Sequence, residues 1–326
     1  MRRMPAGPGG QLLGYRLNSP LGIASGPLLN SRWVEAYARA GFDVLTYRTV
    51  RSSFVPAHPL PNVRVVENRE GAAVAVRRAG LNGHQTLAVS LGMPSMEPDV
   101  WRKDVRRARE RLGPGQVLVV SVLGTMPEGG DREALIADFA RCAAWAVEAG
   151  ADIVEAHLDW PHPLADQPLA IYEDPLLSAQ ILHRIRSTVG VPVVAKLGAF
   201  RTQRQLHETA TRLAPWTHGF VLLHGFQRRV IDESGNAAFE GEGRERADII
   251  GSDTFAAAAR QVAELLSWRR AGCWDRAILG VGGVTSVERA QQLLREGCDV
   301  VLVETAALYD PLIAVRFRQQ LAAAVA

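Results

Sequence analysis

Short apolar runs rich in β-branched residues alternate with helical stretches along almost the whole chain, and this alternation limits the fold more than any other feature. The runs are nearly continuous, as in parallel strands buried on both faces. The intervening segments carry apolar residues at three- and four-residue spacing, which is typical of helices packed on a sheet. Strand and helix follow each other about eight times with short connections. The predicted strands lie in residues 21–25, 42–50, 117–124, 151–159, 192–198, 219–225, 277–283 and 300–308, and the predicted helices in residues 32–41, 132–150, 175–190, 202–214, 254–272 and 286–297, with a last helix after Asp310.

This alternation predicts a single (β/α)8 TIM barrel. Such a barrel has a core of about 250 residues, so a chain of 326 residues leaves room for insertions. A doubly wound sheet is the alternative, but it rarely contains so many strand–helix units in one domain. Residues 1–16 are expected to form a flexible tail and residues 17–326 the barrel, with insertions at about 51–86 and 226–250 as lid elements over the carboxyl-terminal face. The proline- and arginine-rich stretch between the second and third predicted strands is expected to be irregular.

Composition excludes several classes of protein. Apolar residues make up 47% of the chain and charged residues 22%, the balance of a globular protein, and no apolar run is long enough to span a bilayer. The basic start, MRRMPAGPGGQ, lacks the apolar core of a secretory signal. The net charge of +3 comes from scattered arginines, which argues against nucleic-acid binding. Because Cys142, Cys273 and Cys298 lie far apart, neither disulfides nor an iron–sulfur centre is expected, and the predicted location is the cytoplasm.

Ionisable and small side chains gather at the carboxyl ends of the predicted strands, where barrel enzymes have their active sites. Glu155, His157 and Asp159 alternate along one strand and would point the same way into the barrel mouth. No HExxH-like spacing links the histidines and carboxylates, so a metal site is not expected. The residues at strand ends are Ser25, Arg48, His157, Asp159, Lys196, His224 and Gly282, whereas the histidines expected to be solvent-facing or structural are His58, His84, His183, His207 and His218.

The last two predicted strands end in turns suited to binding a phosphate. The segment GVGGVTS ends one strand and starts a helix, and VETAAL ends the next strand and starts the last helix. Backbone N–H groups at glycine turns and helix starts bind anions, and barrels often place such a site after strands seven and eight. Paired glycines also make tight turns without any ligand, but two such turns on consecutive strands favour phosphate binding.

The order and spacing of several motifs resemble the dihydroorotate dehydrogenase family. The motifs are SPLGIASGP, YRTV followed by HPLPNVRVV, SLGMPS, VEAHLDWPHP, VVAKLG and ILGVGGVTSVERAQQLLREGCDVVLVETAALYDP. The resemblance extends from about Leu17 to Pro311 and is most specific at the first strand and the last two. Members are FMN-containing barrels, similar also to the pyrimidine-reducing part of dihydropyrimidine dehydrogenases. The resemblance therefore implies an FMN-binding barrel with oxidoreductase activity on CH–CH bonds.

The resemblance also implies which residues contact FMN. Lys196 would lie near the N1–C2 edge of the isoalloxazine, where a fixed cation stabilises the negative charge that collects on reduction. The complete set of implied cofactor contacts is Ala24, Ser25, Gly26, Arg48, Thr49, His157, Lys196, His224, Gly225, Gly282, Gly283, Thr305 and Ala306, of which the last four would hold the phosphate.

The substrate site departs from the family pattern. Members usually carry Asn-Leu-Ser-Cys-Pro-Asn, or a close variant, where this chain has HLDWPH at residues 157–162. The family's base is a cysteine or serine, in many members at the position of Trp160, whose indole cannot accept a proton. A site without the usual donors and acceptors would reject orotate. The other departures are Arg48 for a lysine, His224 for an asparagine, Glu304 for a glycine beside the phosphate, and Val89 and Ser95 for asparagines that bind substrate.

Histidines and an aspartate remain as candidates for proton transfer. FMN would exchange a hydride at N5 while His157 or His162 moves the partner proton, and Asp159 would orient an imidazole or take the proton itself. Lys196 completes the predicted catalytic set. Alternatively, His157 only contacts the flavin and His162 is only an exposed loop residue. The predicted substrate contacts are Val89, Ser95, Trp160 and His162, with Trp160 lying against an apolar or aromatic substrate.

Three functions remain open. The first is an FMN-dependent oxidoreductase that dehydrogenates a C–C bond, or reduces an enone-type double bond, of a small non-orotate substrate in specialised metabolism. The second is a genuine dihydroorotate dehydrogenase of pyrimidine biosynthesis with a displaced base, and the third is a flavin- or phosphate-binding barrel without redox turnover. An unknown electron donor or acceptor would complete the first two, and no membrane or nucleic-acid partner is expected. Related barrels often form homodimers, so the apolar face of the terminal helix would pack either on a second copy or on the barrel.

Overall fold

The computed structural model describes residues 9–76, 85–167 and 169–325. Residues 1–8 of the predicted tail, part of the first predicted insertion, and His84 lie outside the described residues. The strands of the described ranges are β1 (Gly10–Leu12), β2 (Tyr15–Leu17), β3 (Leu21–Ile23), β4 (Val44–Val50), β5 (Val63–Asn68), β6 (Ala73–Ala75), β7 (Thr86–Val89), β8 (Val117–Val122), β9 (Ile153–His157), β10 (Val193–Lys196), β11 (Gly219–Leu222), β12 (Phe226–Ile231), β13 (Arg246–Gly251), β14 (Ala277–Gly280) and β15 (Val300–Val303). The helices are α1 (Ser31–Arg39), α2 (Pro98–Glu110), α3 (Arg132–Glu148), α4 (Pro175–Thr188), α5 (Gln203–Leu213), α6 (Phe255–Arg270), α7 (Val287–Glu296), α8 (Thr305–Tyr309) and α9 (Ile313–Val325). Within these ranges, no helix combines the length and the hydropathy needed to cross a membrane.

Eight of the strands close into a parallel barrel. Their order is β3-β4-β8-β9-β10-β11-β14-β15, and β15 pairs with β3 to complete the ring. Each barrel strand falls within one of the eight predicted apolar runs, so the predicted α/β barrel is confirmed. Strands β8, β9, β10 and β11 are buried at every residue, because helices cover their outer face and side chains from the other strands fill the interior.

A hairpin of β1 and β2 packs against the barrel interior. Leu12 and Leu17 are buried together with interior side chains of the barrel strands. The Tyr15 hydroxyl donates a hydrogen bond of 2.9 Å to the carbonyl oxygen of Asp152, just before β9, so the hairpin lies at the amino-terminal end of the barrel. Residues 10–16 therefore do not form the flexible tail expected from the sequence, because burying the two leucines holds this segment in place.

The two predicted insertions meet in a second closed sheet. It contains five strands in the order β12-β13-β7-β5-β6, of which β5, β6 and β7 follow β4 in the chain while β12 and β13 follow β11. The expectation of irregular structure after β4 is wrong, because these strands pair with partners far away in sequence, such as Val89 with Asp248 and Ala73 with Val230. This sheet has its own small core of Val66, Ala73, Ala88, Val230, Ala238, Phe239, Ala247 and Ile249.

Helix α2 also lies in the stretch that was expected to be irregular. Pro98 begins it and Trp101, Val105 and Ala108 are its buried residues, at the four- and three-residue spacing of one helix face. The remaining positions are mostly charged, so only a narrow apolar stripe marks the helix in the sequence.

The terminal helix α9 packs on the barrel. Ile313, Ala314 and Phe317 are buried in the layer between the helices and the strands. The Arg318 guanidinium forms a buried ion pair with Asp43, with an N–O distance of 2.5 Å. Of the two alternatives for the apolar face of this helix, packing on the barrel is the one that the structure adopts.

Replacing Arg318 with methionine is expected to lower the free energy of unfolding by about 3–5 kcal/mol, because the Asp43 carboxylate would stay buried without its cation. Chemical denaturation at neutral pH measures this change. The matched control is Arg316→Met, which removes a more exposed ion pair with Asp310 in the same part of the chain and should cost at most about 1 kcal/mol. Adding Asp43→Asn to Arg318→Met should recover part of the loss, and equal losses for the Arg316 and Arg318 variants would contradict the argument.

Candidate functional site at the carboxyl end of the barrel

The carboxyl ends of the barrel strands bring most of the predicted site residues into one mouth. His157 and Lys196 end β9 and β10 and lie side by side in the register of the sheet. Ser25 follows β3, and its hydroxyl accepts a hydrogen bond of 3.0 Å from Lys196 Nζ across the barrel. His224 follows β11 and Glu304 follows β15, so side chains from five strand ends meet here.

Lys196 is a buried cation, with only 1% of its surface exposed. Besides Ser25, its ammonium faces Glu155, whose Oε1 lies 3.9 Å from Nζ and makes no hydrogen bond with the described residues. Glu155 is equally buried, so the carboxylate compensates the burial of the ammonium. The pair therefore holds a positive charge at a defined place in the mouth.

His157 is a buried neutral imidazole. Its Nε2 lies 3.1 Å from the backbone oxygen of Asp159, which makes Nε2 the donor and leaves Nδ1 to accept from Thr49 Oγ1 at 3.5 Å. Burial, and then the positive charges of Lys196 and His224, hold the pKa of His157 well below its ordinary value. These contacts favour the alternative in which His157 contacts a ligand without moving a proton.

Asp159 carries a carboxyl group that titrates near neutral pH. The carboxylate packs directly against Gly198, where a β-carbon would overlap it. Burial raises the pKa of Asp159 to about 7, and the negative charge of Asp248 contributes to the rise. A carboxyl group with this pKa can both accept and donate a proton at neutral pH. The site thus favours the hypothesis in which Asp159 takes the proton itself.

His224 and Glu304 form a partly buried ion pair. His224 Nδ1 lies 2.7 Å from Glu304 Oε2, although the ring N–H is not aimed for a hydrogen bond with it. Burial lowers the pKa of His224, but the Glu304 carboxylate outweighs this and raises it above its ordinary value. Burial raises the pKa of Glu304, but the His224 charge outweighs this and holds it below its ordinary value. Each group thus favours the charged form of the other.

The turn after β14 leaves no room for side chains. Gly282 and Gly283 have φ angles of +106° and +63°, and a β-carbon on either would overlap the backbone of Leu223 or Phe255. Among the described residues, none accepts a hydrogen bond from the backbone N–H groups of Gly282, Gly283 or Thr305. These groups border a small pocket that His224 and Glu304 also line. Such an arrangement can hold a phosphate.

Two further predicted cofactor contacts are placed by close backbone packing. Ala306 is the second residue of α8 and is buried next to Thr305. Gly225 follows β11, and a β-carbon there would lie 2.5 Å from the backbone oxygen of Ile249 on β13. The glycine therefore lets β13 approach the end of β11, which joins the second sheet to the edge of the mouth.

Asp248 of β13 also belongs to this mouth, although it was not among the site residues predicted from the sequence. Its carboxylate accepts a hydrogen bond from the Gln227 side chain. Burial raises the pKa of Asp248, and its charge acts on Asp159 and His224. Val89 lies opposite Asp248 on β7, so the second sheet brings both residues towards the site. The only signal in the sequence was the charged stretch at residues 239–248.

Arg48 and Arg51 lie at the carboxyl end of β4, and Arg51 contacts Trp160, which follows β9. The Arg51 guanidinium carbon lies 6.0 Å from the centre of the Trp160 ring. Arg48 donates a hydrogen bond of 2.5 Å to the carbonyl oxygen of Pro94, and its buried Nε has no partner in the described residues. Burial lowers the pKa of both arginines. An aromatic ring and one incompletely paired guanidinium thus lie near the ends of β9 and β4.

Two predicted substrate contacts are already engaged by the protein. The Ser95 hydroxyl accepts a hydrogen bond of 3.0 Å from the backbone N–H of Arg51 and donates one of the same length to the next carbonyl oxygen. His162 Nδ1 accepts a hydrogen bond of 3.2 Å from the backbone of Leu164, and Nε2 lies 3.4 Å from the Asp174 carboxylate that caps α4. The structure therefore ties His162 to the start of α4, away from Lys196 and Glu304.

Comparison with known proteins finds relatives that match most of the chain. No family model matches the chain. The chain is 28% identical over 326 residues to a dihydroorotate dehydrogenase of Dictyostelium discoideum, which covers 94% of this chain and 86% of the relative. It is 27% identical to a dihydroorotate dehydrogenase (quinone) of Acidovorax sp. strain JS42, over 92% and 81% of the two chains. It is also 27% identical to the catalytic subunit of a dihydroorotate dehydrogenase B (NAD(+)) of Methanothermobacter thermautotrophicus, over 68% and 66%.

Fold and site together define a class of protein, namely a parallel α/β barrel with a glycine turn after its seventh strand and buried ionisable residues around its carboxyl end. Over most of its length the chain is similar to proteins named dihydroorotate dehydrogenase, at 26–28% identity, which supports a place in that family. The chain carries HLDWPH at residues 157–162, the segment in which the sequence departs from the pattern expected of that family.

Proposed function

We propose that the chain is an FMN-dependent oxidoreductase that exchanges a hydride between flavin N5 and a C–C bond of a small substrate. The observation that carries this proposal is the buried ammonium of Lys196, held by Ser25 and Glu155 in the same mouth as the glycine turn. A fixed cation stabilises the negative charge that a redox ligand gains on reduction. Similarity to proteins named dihydroorotate dehydrogenase over most of the chain supports the same conclusion.

The residues of the mouth fit FMN. The unpartnered N–H groups of Gly282, Gly283 and Thr305, with Ala306 beside them, are suited to the phosphate. Lys196 is suited to the N1–C2 edge of the isoalloxazine. Bound FMN would supply the N5 atom that accepts or gives the hydride. The other proposed contacts are Ala24, Ser25, Gly26, Arg48, Thr49, His157, His224 and Gly225.

Asp159 is the proposed acid or base for the partner proton. Its pKa of about 7 lets it hold or release a proton at neutral pH. Neutral His157 donates to the backbone oxygen of Asp159 and is proposed to position it and to contact the flavin. His162, engaged by Asp174, is proposed to hold the loop that carries Asp159 and Trp160 rather than to move a proton itself.

The second sheet is proposed to cover the carboxyl-terminal face of the barrel. Its strands leave the barrel after β4 and β11, and Gly225 lets β13 pack against the end of β11. In this position it would contribute Asp248 and Val89 to the site and exclude water. Exclusion of water strengthens the interaction of Lys196 with a developing negative charge.

The proposed substrate is not orotate. Three of the residues expected to contact the substrate do not suit an imide. Trp160 has no proton-accepting atom, the Ser95 hydroxyl is already hydrogen-bonded to the backbone, and Val89 is apolar. An imide would therefore lack hydrogen-bonding partners at these three positions, and a polar ligand without partners is rejected strongly. A substrate with an apolar or aromatic face against Trp160 fits better, and the reaction would be its dehydrogenation or the reduction of its conjugated double bond. Val89, Ser95, Trp160 and His162 remain the proposed substrate contacts.

A genuine dihydroorotate dehydrogenase is the second candidate, because the relatives that span most of this chain carry that name. Two of the relatives are named for a quinone and for NAD(+), so an electron acceptor of one of these kinds is proposed for either candidate. The three cysteines are unpaired, which suits a reducing cytoplasm as the proposed location. A homodimer is also proposed.

The visible absorption spectrum of the purified protein tests the proposal. We expect a flavin spectrum, with FMN released on denaturation, that anaerobic dihydroorotate does not bleach. Chemical reduction of the same sample should bleach it, which controls for a flavin that cannot be reduced. Prompt bleaching by dihydroorotate would instead establish the second candidate. A protein that stays colourless after FMN is added would contradict both and leave a barrel without redox turnover.

A further inference from the structure

Glu304 occupies an unexpected position between two parts of the proposed cofactor site. Its Oε2 faces His224, and its Oε1 lies over Gly26, so that a β-carbon on Gly26 would overlap the carboxylate. On one side lies the pocket bordered by the glycine turn after β14, and on the other side lies the turn after β3, where Ser25 accepts from Lys196. A ligand that reaches from Lys196 to the glycine turn must therefore pass Glu304.

The charge of Glu304 is compensated in this position. His224 supplies the nearest positive charge, and Lys196 acts on the carboxylate as a second cation. Asp248 also acts on His224 and adds a negative charge on the side of the second sheet. The His224–Glu304 ion pair can thus lie near a phosphate without presenting an uncompensated carboxylate to it.

An ionised carboxylate accepts hydrogen bonds and cannot donate them. The part of a flavin nucleotide that lies between its ring and its phosphate is a polyol chain, whose hydroxyls are donors that match such an acceptor. Hydrogen bonds to a charged acceptor are also stronger than those between neutral groups.

We infer that Glu304 accepts hydrogen bonds from the ribityl hydroxyls of bound FMN, with His224 as the counter-ion that lets a carboxylate lie beside the phosphate. The inference rests on the proposed flavin-dependent function. It assigns Glu304 to recognition of the polyol, so the residue contributes to affinity for any flavin that carries the ribityl chain.

Titration of the apoprotein with three flavins tests this role through the quenching of flavin fluorescence. FMN carries ribityl and phosphate, riboflavin carries ribityl alone, and lumiflavin carries neither. For Glu304→Met we expect the dissociation constant of riboflavin to rise about tenfold. The dissociation constant of lumiflavin should stay unchanged, which would show that the binding site for the flavin ring is intact. Glu304→Gln keeps an acceptor without the charge and should fall between the wild type and Glu304→Met. Glu208→Gln, an exposed glutamate on α5 whose side chain is 54% exposed, should match the wild type.

The His224→Asn variant separates the counter-ion from the acceptor. Without its cation, Glu304 would repel the phosphate, so affinity for FMN should fall more than affinity for riboflavin. If Glu304→Met leaves riboflavin binding unchanged and tightens FMN binding, Glu304 acts only by repulsion and the inference is overturned while the proposed function stands. If the wild type binds none of the three flavins, the proposed function fails and the inference fails with it.

Discussion

The Lys196→Met variant is expected to lower the midpoint potential of the bound flavin by roughly 60 mV or more. This change corresponds to the free energy that one preorganised electrostatic contact contributes in a site without water. The physical reason is that the buried ammonium, held by Ser25 and Glu155, would no longer offset the negative charge gained on reduction. An anaerobic equilibrium titration against a reference dye measures the potential and needs no knowledge of the substrate.

The single variant also leaves Glu155 buried without its cation, which would itself disfavour reduction and destabilise the fold. The double variant Lys196→Met/Glu155→Gln removes both charges and is the matched control. We expect its potential to lie between those of the single variant and the wild type. A double variant with the potential of the wild type would mean that Lys196 only neutralises Glu155 and does not act on the flavin.

The Asp159→Asn variant is expected to lose about 100- to 10,000-fold in turnover, the usual contribution of a positioned general acid or base. Turnover is measured with whichever compound reduces or oxidises the bound flavin in a substrate screen. Because the pKa of Asp159 is about 7, activity that needs the carboxylate should rise with pH through about 7, and activity that needs the acid should fall. The activity of the Asp159→Asn variant should not change with pH in this range. A variant that keeps both the rate and the titration would assign the proton to another group.

The same substitution should make the protein more stable at neutral and higher pH. The folded-state pKa of Asp159 is raised from 3.8 to about 7, so the folded protein binds this proton more tightly than the unfolded chain does. The stabilisation is complete below the unfolded pKa and is lost as pH rises through the folded pKa. Relative to the wild type, Asp159→Asn should therefore gain stability between about pH 4 and pH 7 and keep the gain above that range. Thermal unfolding across this range measures it, and a parallel pH dependence in the two proteins would argue against a raised pKa.

Loss of turnover together with a gain in stability would mark Asp159 as a functional residue rather than a structural one. A buried carboxyl group costs stability when it ionises, and no contact in the described mouth fully offsets that cost for Asp159. By contrast, Arg318→Met should lose stability without a specific effect on the flavin, because its partner Asp43 lies at the opposite end of the barrel, before β4.

The barrel strands were predictable because their signal is local. A run such as VLVVSV in β8 is buried at every residue, and nothing but a strand covered on both faces suits it. The second sheet was not predictable, because its short strands mix apolar and polar residues and complete their hydrogen bonds with partners far away in sequence. Helix α2 was missed for a related reason, since Trp101, Val105 and Ala108 form too narrow a stripe among charged residues.

The candidate site, like the fold, was only partly predictable from the sequence. Strand ends converge in any barrel, so the sequence already indicated that Ser25, His157 and Lys196 would meet. It could not indicate that His162, five residues after His157, turns towards Asp174, because loop geometry depends on contacts made only in the folded chain. Nor could it indicate the 2.7 Å ion pair of His224 with Glu304, which lie on strands that are not neighbours in the barrel.

The sequence by itself determined the alternation of buried strands and covering helices, and with it the barrel, the end of the barrel at which ionisable side chains gather, and the resemblance to a family. These follow from local burial patterns and from motifs whose order the chain preserves. Only the tertiary structure decided the electrostatics of the mouth, namely the lowered pKa of His157, the pairing of His224 with Glu304, and the raised pKa of Asp159. Those states depend on desolvation and on charges from distant segments such as β13, and neither quantity exists until the chain has folded.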